Sequence, residues 1–343
     1  MLAARFAKAM RACGAPWPGA VAVSGGSDSL ALMFLLRDWT KQAGFPLPVV
    51  LCVNHALRPE SAAEARQVSR WAKEAGLKVR LLKHEGKVPV ASIEAAARGV
   101  RYQLMGAWAK RNGLKAVYVG HTQDDQAETF LLRLARGSGV DGLSAMHAVA
   151  PYPVEGLREL RLVRPLLTFE RESLRDYLRS RDHAWLDDPM NDDPRFSRVK
   201  VRKVWPALEA AGLSKTRIAD AAAHLARARA ALDTVSEAVL ARACRLCEGG
   251  VLLDSVALTK APREVGLRAL AMVLMTVSGS PYRPRFEKLE RLFDNLAEGK
   301  LGGGRTLHCC RIAPASQAND IFGRGSVHVK REEFRSKARK NKG

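Results

Sequence analysis

No stretch of this 343-residue sequence is apolar for long enough to span a bilayer. The longest such runs, Leu30–Leu36 among them, are about a third of the ~20 residues that a transmembrane helix needs. Met1–Ala20 carries Arg5, Lys8 and Arg11 and lacks the apolar core of a signal peptide. Cysteines are few: Cys13, Cys52, Cys244, Cys247, Cys309 and Cys310. Without an export signal they are read as reduced thiols, and the chain is expected to be cytoplasmic with no membrane contact. Cys244 and Cys247 form a Cys-x-x-Cys in an Ala/Arg-rich run read as helical, and no second pair completes a zinc or iron–sulfur site. No two histidines have HxxxH or HxxH spacing, and there is no internal repeat. Aromatic residues, at 6%, are too few for a surface built mainly on base stacking.

Acidic residues are the other shortage. Thirty-five Asp and Glu stand against 56 Lys and Arg, a net charge of +21. That excess points to a polyanionic partner, either nucleic acid or an anionic membrane surface. With 47% hydrophobic and 27% charged residues the chain reads as globular, and its length suits two domains.

The first half alternates short β-branched runs with helical patterns. Strands are expected at Ala20–Val23, Val49–Val53, Val79–Leu82 and Ala116–Val119. Helices are expected at Leu30–Gln42, Ala62–Ala75, Ser92–Lys110, Asp124–Arg136 and Glu170–Arg181. This rhythm predicts an α/β fold with a doubly wound parallel sheet, whose ligands sit at the carboxyl ends of the strands. From Trp205–Pro206 the composition turns Ala/Arg/Leu-rich. The expected division is therefore a catalytic domain over 1–210, a mainly helical domain over 211–322, and a mobile basic tail over 323–343.

Ser24-Gly25-Gly26-Ser27-Asp28-Ser29 joins the first strand to its helix. The two glycines let the backbone turn tightly, and free N–H groups at a helix start cradle anions. Ser24, Ser27 and Ser29 add hydroxyl donors. A carboxylate beside bound phosphate makes sense when a cation lies between them, which gives Asp28 a role in holding Mg²⁺; the alternative is a plain helix cap. The spelling is neither Gly-x-x-x-x-Gly-Lys-Ser/Thr nor Gly-x-Gly-x-x-Gly. It resembles the SGGxDS loop of the PP-loop ATP-pyrophosphatase superfamily, of the adenine nucleotide alpha hydrolase-like fold. There the loop holds the β- and γ-phosphates of ATP while a substrate is adenylylated.

Further segments narrow the resemblance: Asn54-His55-Ala56-Leu57-Arg58, Glu94 to Tyr102, Gly120-His121-Thr122-Gln123-Asp124-Asp125-Gln126-Ala127-Glu128-Thr129, and Arg136 to Leu143. Together they are similar to the tRNA(Ile)-lysidine synthetase family, closely over Ala20–Arg202 and in outline beyond. The resemblance implies an enzyme that uses ATP and Mg²⁺ to join free lysine to the wobble cytidine of tRNA(Ile) with a CAU anticodon. Asp125 and Glu128, three apart on one helix face, read either as a solvated acidic helix start or as a grip for ammonium groups. The resemblance implies the latter, with Arg101 for the lysine carboxylate. His121, Asn54, His55 and Arg58 are then nucleotide neighbours. Residues 195–203 hold five basic side chains and no acid. Arg198 is read as neutralising charge on the phosphates or adenylate, and Arg202 and Lys203 as meeting tRNA phosphate. Val199 stands where the family has Asn. Arg305, in a Gly-rich turn, is a further tRNA contact, and a homodimer is left open. Three rivals compete with this: a tRNA thiolase, which would need cysteines at the site; a small-molecule ligase, which leaves +21 unexplained; and a non-catalytic RNA-binding module, which needs neither Asp28 nor the acid pair.

Overall fold

The structure, a computed structural model, describes residues 1–54, 60–84, 93–187, 193, 197–280, 282–316, 321–323 and 325–332, with backbone alone at 93–97. The chain divides into two compact units, Met1–Ala226 and Arg227–Gly343.

In the first unit, side chains alternate between two cores. Val21, Val50, Cys52, Ala116, Tyr118 and Val163 enter one apolar cluster; Ala20, Leu51, Val117, Val119 and Leu162 enter the other. Period-two burial on both sides is what a parallel sheet covered by helices on each face demands. Its strands are β1 (Gly19–Ala22), β2 (Val49–Asn54), β3 (Val79–Lys83), β4 (Ala116–Tyr118), β5 (Val149–Pro151) and β6 (Arg161–Val163), in the order β3-β2-β1-β4-β6-β5. All neighbours pair parallel except β5 with β6. From β1 the chain builds outward through β2 to β3, then returns to lay β4 on the other flank of β1. The switch point lies between β1 and β4, and the loops leaving their carboxyl ends share one crevice.

Helices α1 (Leu2–Ala12), α2 (Ser27–Ala43), α3 (Ser61–Glu74) and α7 (Arg171–Arg179) supply the first core, and α4 (Ile93–Arg111) the second. The run Leu30–Leu36 is the buried middle of α2, with all seven residues in the core. A helix apolar all round is a core helix. Each of its large side chains contributes about 1.5–3 kcal/mol by leaving water, so the start of α2 is firmly anchored. Helix α5 (Gln123–Leu134) follows β4, and the short α6 (Val140–Leu143) follows it. Ala127 of α5 packs against Trp205 of α8 (Ser197–Ala210) and Ile218 of α9 (Lys215–Ala243), with Phe130, Leu131, Val201 and Leu208 around them. Helix α8 runs through Trp205–Pro206 and begins inside the basic stretch, where charge masked the apolar spacing of Val201, Trp205 and Leu208.

The second unit carries the remainder of α9, with α10 (Ser255–Lys260), α11 (Arg263–Ser278) and α12 (Phe286–Ala297). Its helices share a core with an antiparallel sheet of order β7-β8-β11-β10-β9, which the sequence reading did not anticipate. The strands are β7 (Cys244–Cys247), β8 (Gly250–Asp254), β9 (Arg305–Leu307), β10 (Cys310–Pro314) and β11 (Ser326–Arg331). Two expectations are corrected here. Cys244 and Cys247 lie on a strand, not a helix: α9 stops at Ala243, and Glu248–Gly249, with Gly249 at φ +75°, turns the chain into a hairpin. Positions three apart on a strand face opposite sides, so the two thiols do not converge. Cys247 Sγ lies 3.1 Å from His328 Nε2 instead. Ser326–Arg331, expected in a mobile tail, is the central strand, because Val327 and Val329 alternate into the core between the basic residues. Residues 333–343 lie outside the described residues.

Candidate active site

The loop at the end of β1 is built as a cradle. Gly25 has φ +98°, open only to glycine, and a Cβ there would fall 2.6 Å from Leu186 Cδ1 and 3.1 Å from Val68 Cγ2. Gly26 differs from its expected role in the turn: its φ is −70°, as any residue adopts, and it caps α2. Ser29 Oγ donates to the Gly26 carbonyl at 2.9 Å and accepts from the Ser24 amide at 3.2 Å, which fixes the loop. Ser27 Oγ donates to Asp28 Oδ1 at 3.2 Å. Across the crevice, Gly120 at the end of β4 touches this helix start, and a Cβ there would fall 2.9 Å from the Asp28 carbonyl oxygen. The two loops are thereby held in contact.

Helix α5 opens with a reciprocal cap. Thr122 Oγ1 accepts from the Asp125 amide, while Asp125 Oδ2 accepts from the Thr122 amide at 2.8 Å. The cap points the other carboxylate oxygen of Asp125 into the crevice beside Glu128. Both residues are buried, which removes the reading of a solvated helix start. Arg171 joins the two loops: its Nε donates to Asp28 Oδ2 at 2.9 Å, Nη2 reaches Asp125 Oδ1 at 3.4 Å, and Nη1 lies 4.0 Å from Glu128 Oε1. Arg198 Nη1 donates to Asp125 Oδ1 at 2.9 Å and lies 3.4 Å from Glu128 Oε2; Arg202 Nε donates to Glu128 Oε1 at 2.6 Å. Lys215 Nζ donates to Asp124 Oδ1 at 2.8 Å, and the Arg171 amide to Asp124 Oδ2 at 2.9 Å. A cavity of about 190 Å³ opens among Asp124, Glu128, Arg171, Arg202, Trp205 and Lys215.

Burial alone would raise both acids, but the outcomes differ. Around Asp125 the charges of Arg171 and Arg198, with the hydrogen bond from the Thr122 amide, outweigh burial and hold the carboxyl below its usual range. At Asp28 burial outweighs Arg171, and the carboxyl stands above its usual range. Asp28 fits the protein's share of a Mg²⁺ site, since that ion takes one or two carboxylates and completes its shell with water and phosphate oxygens. His121 is pulled down to about 3, first by burial and then by the positive charges of Arg164, Arg98 and Arg198. Arg164 Nε points at His121 Nδ1 from 3.2 Å, so Nδ1 is the unprotonated nitrogen and the ring stays neutral.

Residues 7–208 match the family model of the PP-loop domain. The tRNA(Ile)-lysidine synthase of Ruegeria pomeroyi is 39% identical over 300 residues, covering 85% of this chain and 70% of that protein. That of Methylobacterium nodulans is 41% identical and covers 84% of both. The chain belongs to the tRNA(Ile)-lysidine synthase family. As a member of this PP-loop family it is an ATP-using enzyme. A solved structure, the U34-tRNA thiolase NcsA from Methanococcus maripaludis with its 4Fe-4S cluster, is similar at TM-score 0.53 and 16% identity. It covers 66% of this chain and 80% of that one, and the likeness is one of fold.

Among the family-type residues singled out in the sequence, the structure gathers Ser24, Gly25, Gly26, Ser27, Asp28, Ser29, His121, Asp125, Glu128, Arg198 and Arg202 about one crevice. Asn54 lies at the carboxyl end of β2. Arg101 lies over the Tyr102 ring and, among the described residues, forms no ion pair with Asp125 or Glu128. Arg202 is engaged by Glu128, while Lys203 next to it is exposed. Arg305 is exposed on β9 in the second unit. His55 and Arg58 lie outside the described residues, as do 188–192 and 194–196.

Arg171, Lys215, Asp124 and Arg164 were not singled out in the sequence. A signal for two of them exists: Arg171 and Lys215 are the first residues of α7 and α9, and Arg198 is the second of α8. A cation in the first turn opposes the helix dipole, so three in succession imply acids waiting to receive them.

Proposed function

We propose that this chain joins lysine to C2 of the wobble cytidine in a tRNA(Ile) with a CAU anticodon, driven by cleavage of ATP to AMP and pyrophosphate. The observation that carries the reading is the Arg171 guanidinium, which touches Asp28 of the phosphate-loop helix and Asp125 of the acid pair at once. A triphosphate in the loop and an amine on the acids therefore lie within one side chain's reach of each other.

In this reading the backbone N–H groups and hydroxyls of Ser24–Ser29 hold the β- and γ-phosphates. Asp28 would hold Mg²⁺, which when bound would supply neutralisation of the charge on the leaving pyrophosphate. The cytidine O2 attacks the α-phosphorus, and pyrophosphate leaves. The lysine ε-amine then attacks C2, and AMP departs with the former O2. Lysine arrives as an ammonium ion, its reference pKa being about 10.4, so the amine must lose a proton in the site. Asp125, held below the usual carboxylate range, is a poor proton acceptor and a good counter-charge. Neutral His121 lines the nucleotide side, and Arg198 turns to the phosphates. Arg101 suits the lysine carboxylate, and Lys203 and Arg305 suit tRNA phosphates. Sulfur transfer is disfavoured by the cysteines of the first unit: Cys13 and Cys52 are both buried, and burial pushes the Cys52 thiol up to about 12.

Incubation with ATP, Mg²⁺, radiolabelled lysine and a CAU-anticodon tRNA(Ile) tests the reading. Label enters RNA with the native chain and not with Asp28→Ala. Incorporation without ATP, or none with it, refutes the proposal.

A further inference from the structure

Every carboxylate of the crevice is already matched by a cation. Asp28 is held by Arg171, Asp125 by Arg171 and Arg198, Glu128 by Arg198 and Arg202, and Asp124 by Lys215. An ammonium ion arriving at Asp125 and Glu128 would find three guanidinium groups within 4.0 Å of those same oxygens. Like charges at that spacing in a partly dry site repel strongly. The acid pair is therefore poorly disposed to accept lysine while the arginines remain on it.

The same arginines have a second destination. Arg171 is bonded to Asp28, in the helix turn that directly follows the phosphate cradle, so its guanidinium stands beside the space a triphosphate would fill. Phosphate oxygens receive guanidinium groups in paired, charge-assisted hydrogen bonds. Asp28, if drawn into a magnesium shell, also ceases to hold Arg171. The first event moves positive charge away from Asp125 and Glu128, and the second leaves Arg171 free to follow the phosphate. Lys215 lacks this choice, since its partner Asp124 faces α9.

We propose that Arg171, assisted by Arg198, is an internal counter-ion that couples the two substrate sites: it occupies the amine-binding acids until nucleotide draws it off, so that lysine enters after ATP. The inference rests on the reading of Asp125 and Glu128 as the lysine site. It makes Arg171 a positioning residue whose effect is a ratio of affinities, and that ratio is reciprocal. It also keeps other primary amines out of the acid pair until there is something to react with.

Titration calorimetry with free lysine, alone and with Mg²⁺ plus the α,β-methylene analogue of ATP, provides the test. Lysine affinity rises with the analogue, by roughly 5- to 150-fold if the coupling has the usual size, and lysine tightens the analogue by the same factor. In Arg171→Ala, lysine alone binds more tightly than to the native chain and the factor shrinks towards one; Arg171→Lys restores part of it. Arg198→Ala, on another helix, shifts lysine binding the same way and serves if Arg171→Ala does not fold. Equal lysine affinity with and without the analogue overturns the coupling but leaves the lysine site intact, as does a factor unchanged in Arg171→Ala. Lysine that binds in neither state overturns the site assignment, and the coupling with it.

Discussion

Glu128→Gln keeps the shape of the side chain and removes one buried negative charge. Glu128 is 4% exposed, and Arg202, whose Nε lies 2.6 Å from Oε1, is 33% exposed. Breaking a fully buried pair costs about 3–5 kcal/mol, whereas an exposed pair is worth ~0–1 kcal/mol. With one partner dry and the other a third in water, a loss of about 2 kcal/mol is expected. Arg198 keeps Asp125 and Arg171 keeps Asp28, so the fold persists. Chemical denaturation measures this, and Glu128→Gln with Arg202→Gln recovers part of the loss, since the stranded guanidinium is gone. On the lysine side, a charge-assisted hydrogen bond lost from the ammonium is worth about 1.5–3 kcal/mol. That corresponds to roughly 10- to 150-fold in the lysine KM. Pyrophosphate release with tRNA and ATP, which precedes lysine attack, changes far less. A lysine KM within twofold of the native value, beside the expected stability loss, would mean that Glu128 serves the fold alone and the reasoning is wrong.

Gly25→Ala meets both a left-handed φ and the Leu186 side chain, and it destabilises the first unit by about 2–4 kcal/mol with loss of nucleotide binding; Gly26→Ala stays within ~0.5 kcal/mol in the same melts. Neutral, buried His121 makes stability depend on acid. Its folded pKa of about 3 lies below the ordinary 6.5, so the unfolded chain binds the extra proton between those values. Stability is full above pH 6.5 and falls as pH drops, by up to about 2 kcal/mol at pH 5 from this residue. Denaturation at pH 7.5 and pH 5 measures it, and His121→Gln flattens that part of the slope; an unchanged slope would place the imidazolium in the folded protein.

The sequence was legible where its signals are local. Strands β1 to β4 and helices α2 to α5 fall within a few residues of their expected places, because alternation and helical spacing report burial directly. The phosphate loop was legible for the same reason: turn, hydroxyls and helix start are consecutive. Helix α8 was hidden by its own charges, and β11 by the basic residues around Val327 and Val329. The Cys-x-x-Cys was assigned to a helix because the composition before it is helical, while the hairpin that follows turns on Gly249 alone.

What the order of residues determined unaided is therefore the doubly wound sheet, the cradle at the end of β1 and the capped acidic start of α5, each a consequence of neighbours along the chain. Tertiary structure alone decided which cations those acids meet. Arg171 lies 143 positions from Asp28 and Arg198 lies 73 from Asp125, and a cation in a helix's first turn signals that it needs an acid without saying which one. Coulomb forces act through space, so the charge state of the crevice was set only when α7, α8 and α9 brought their first turns against α5.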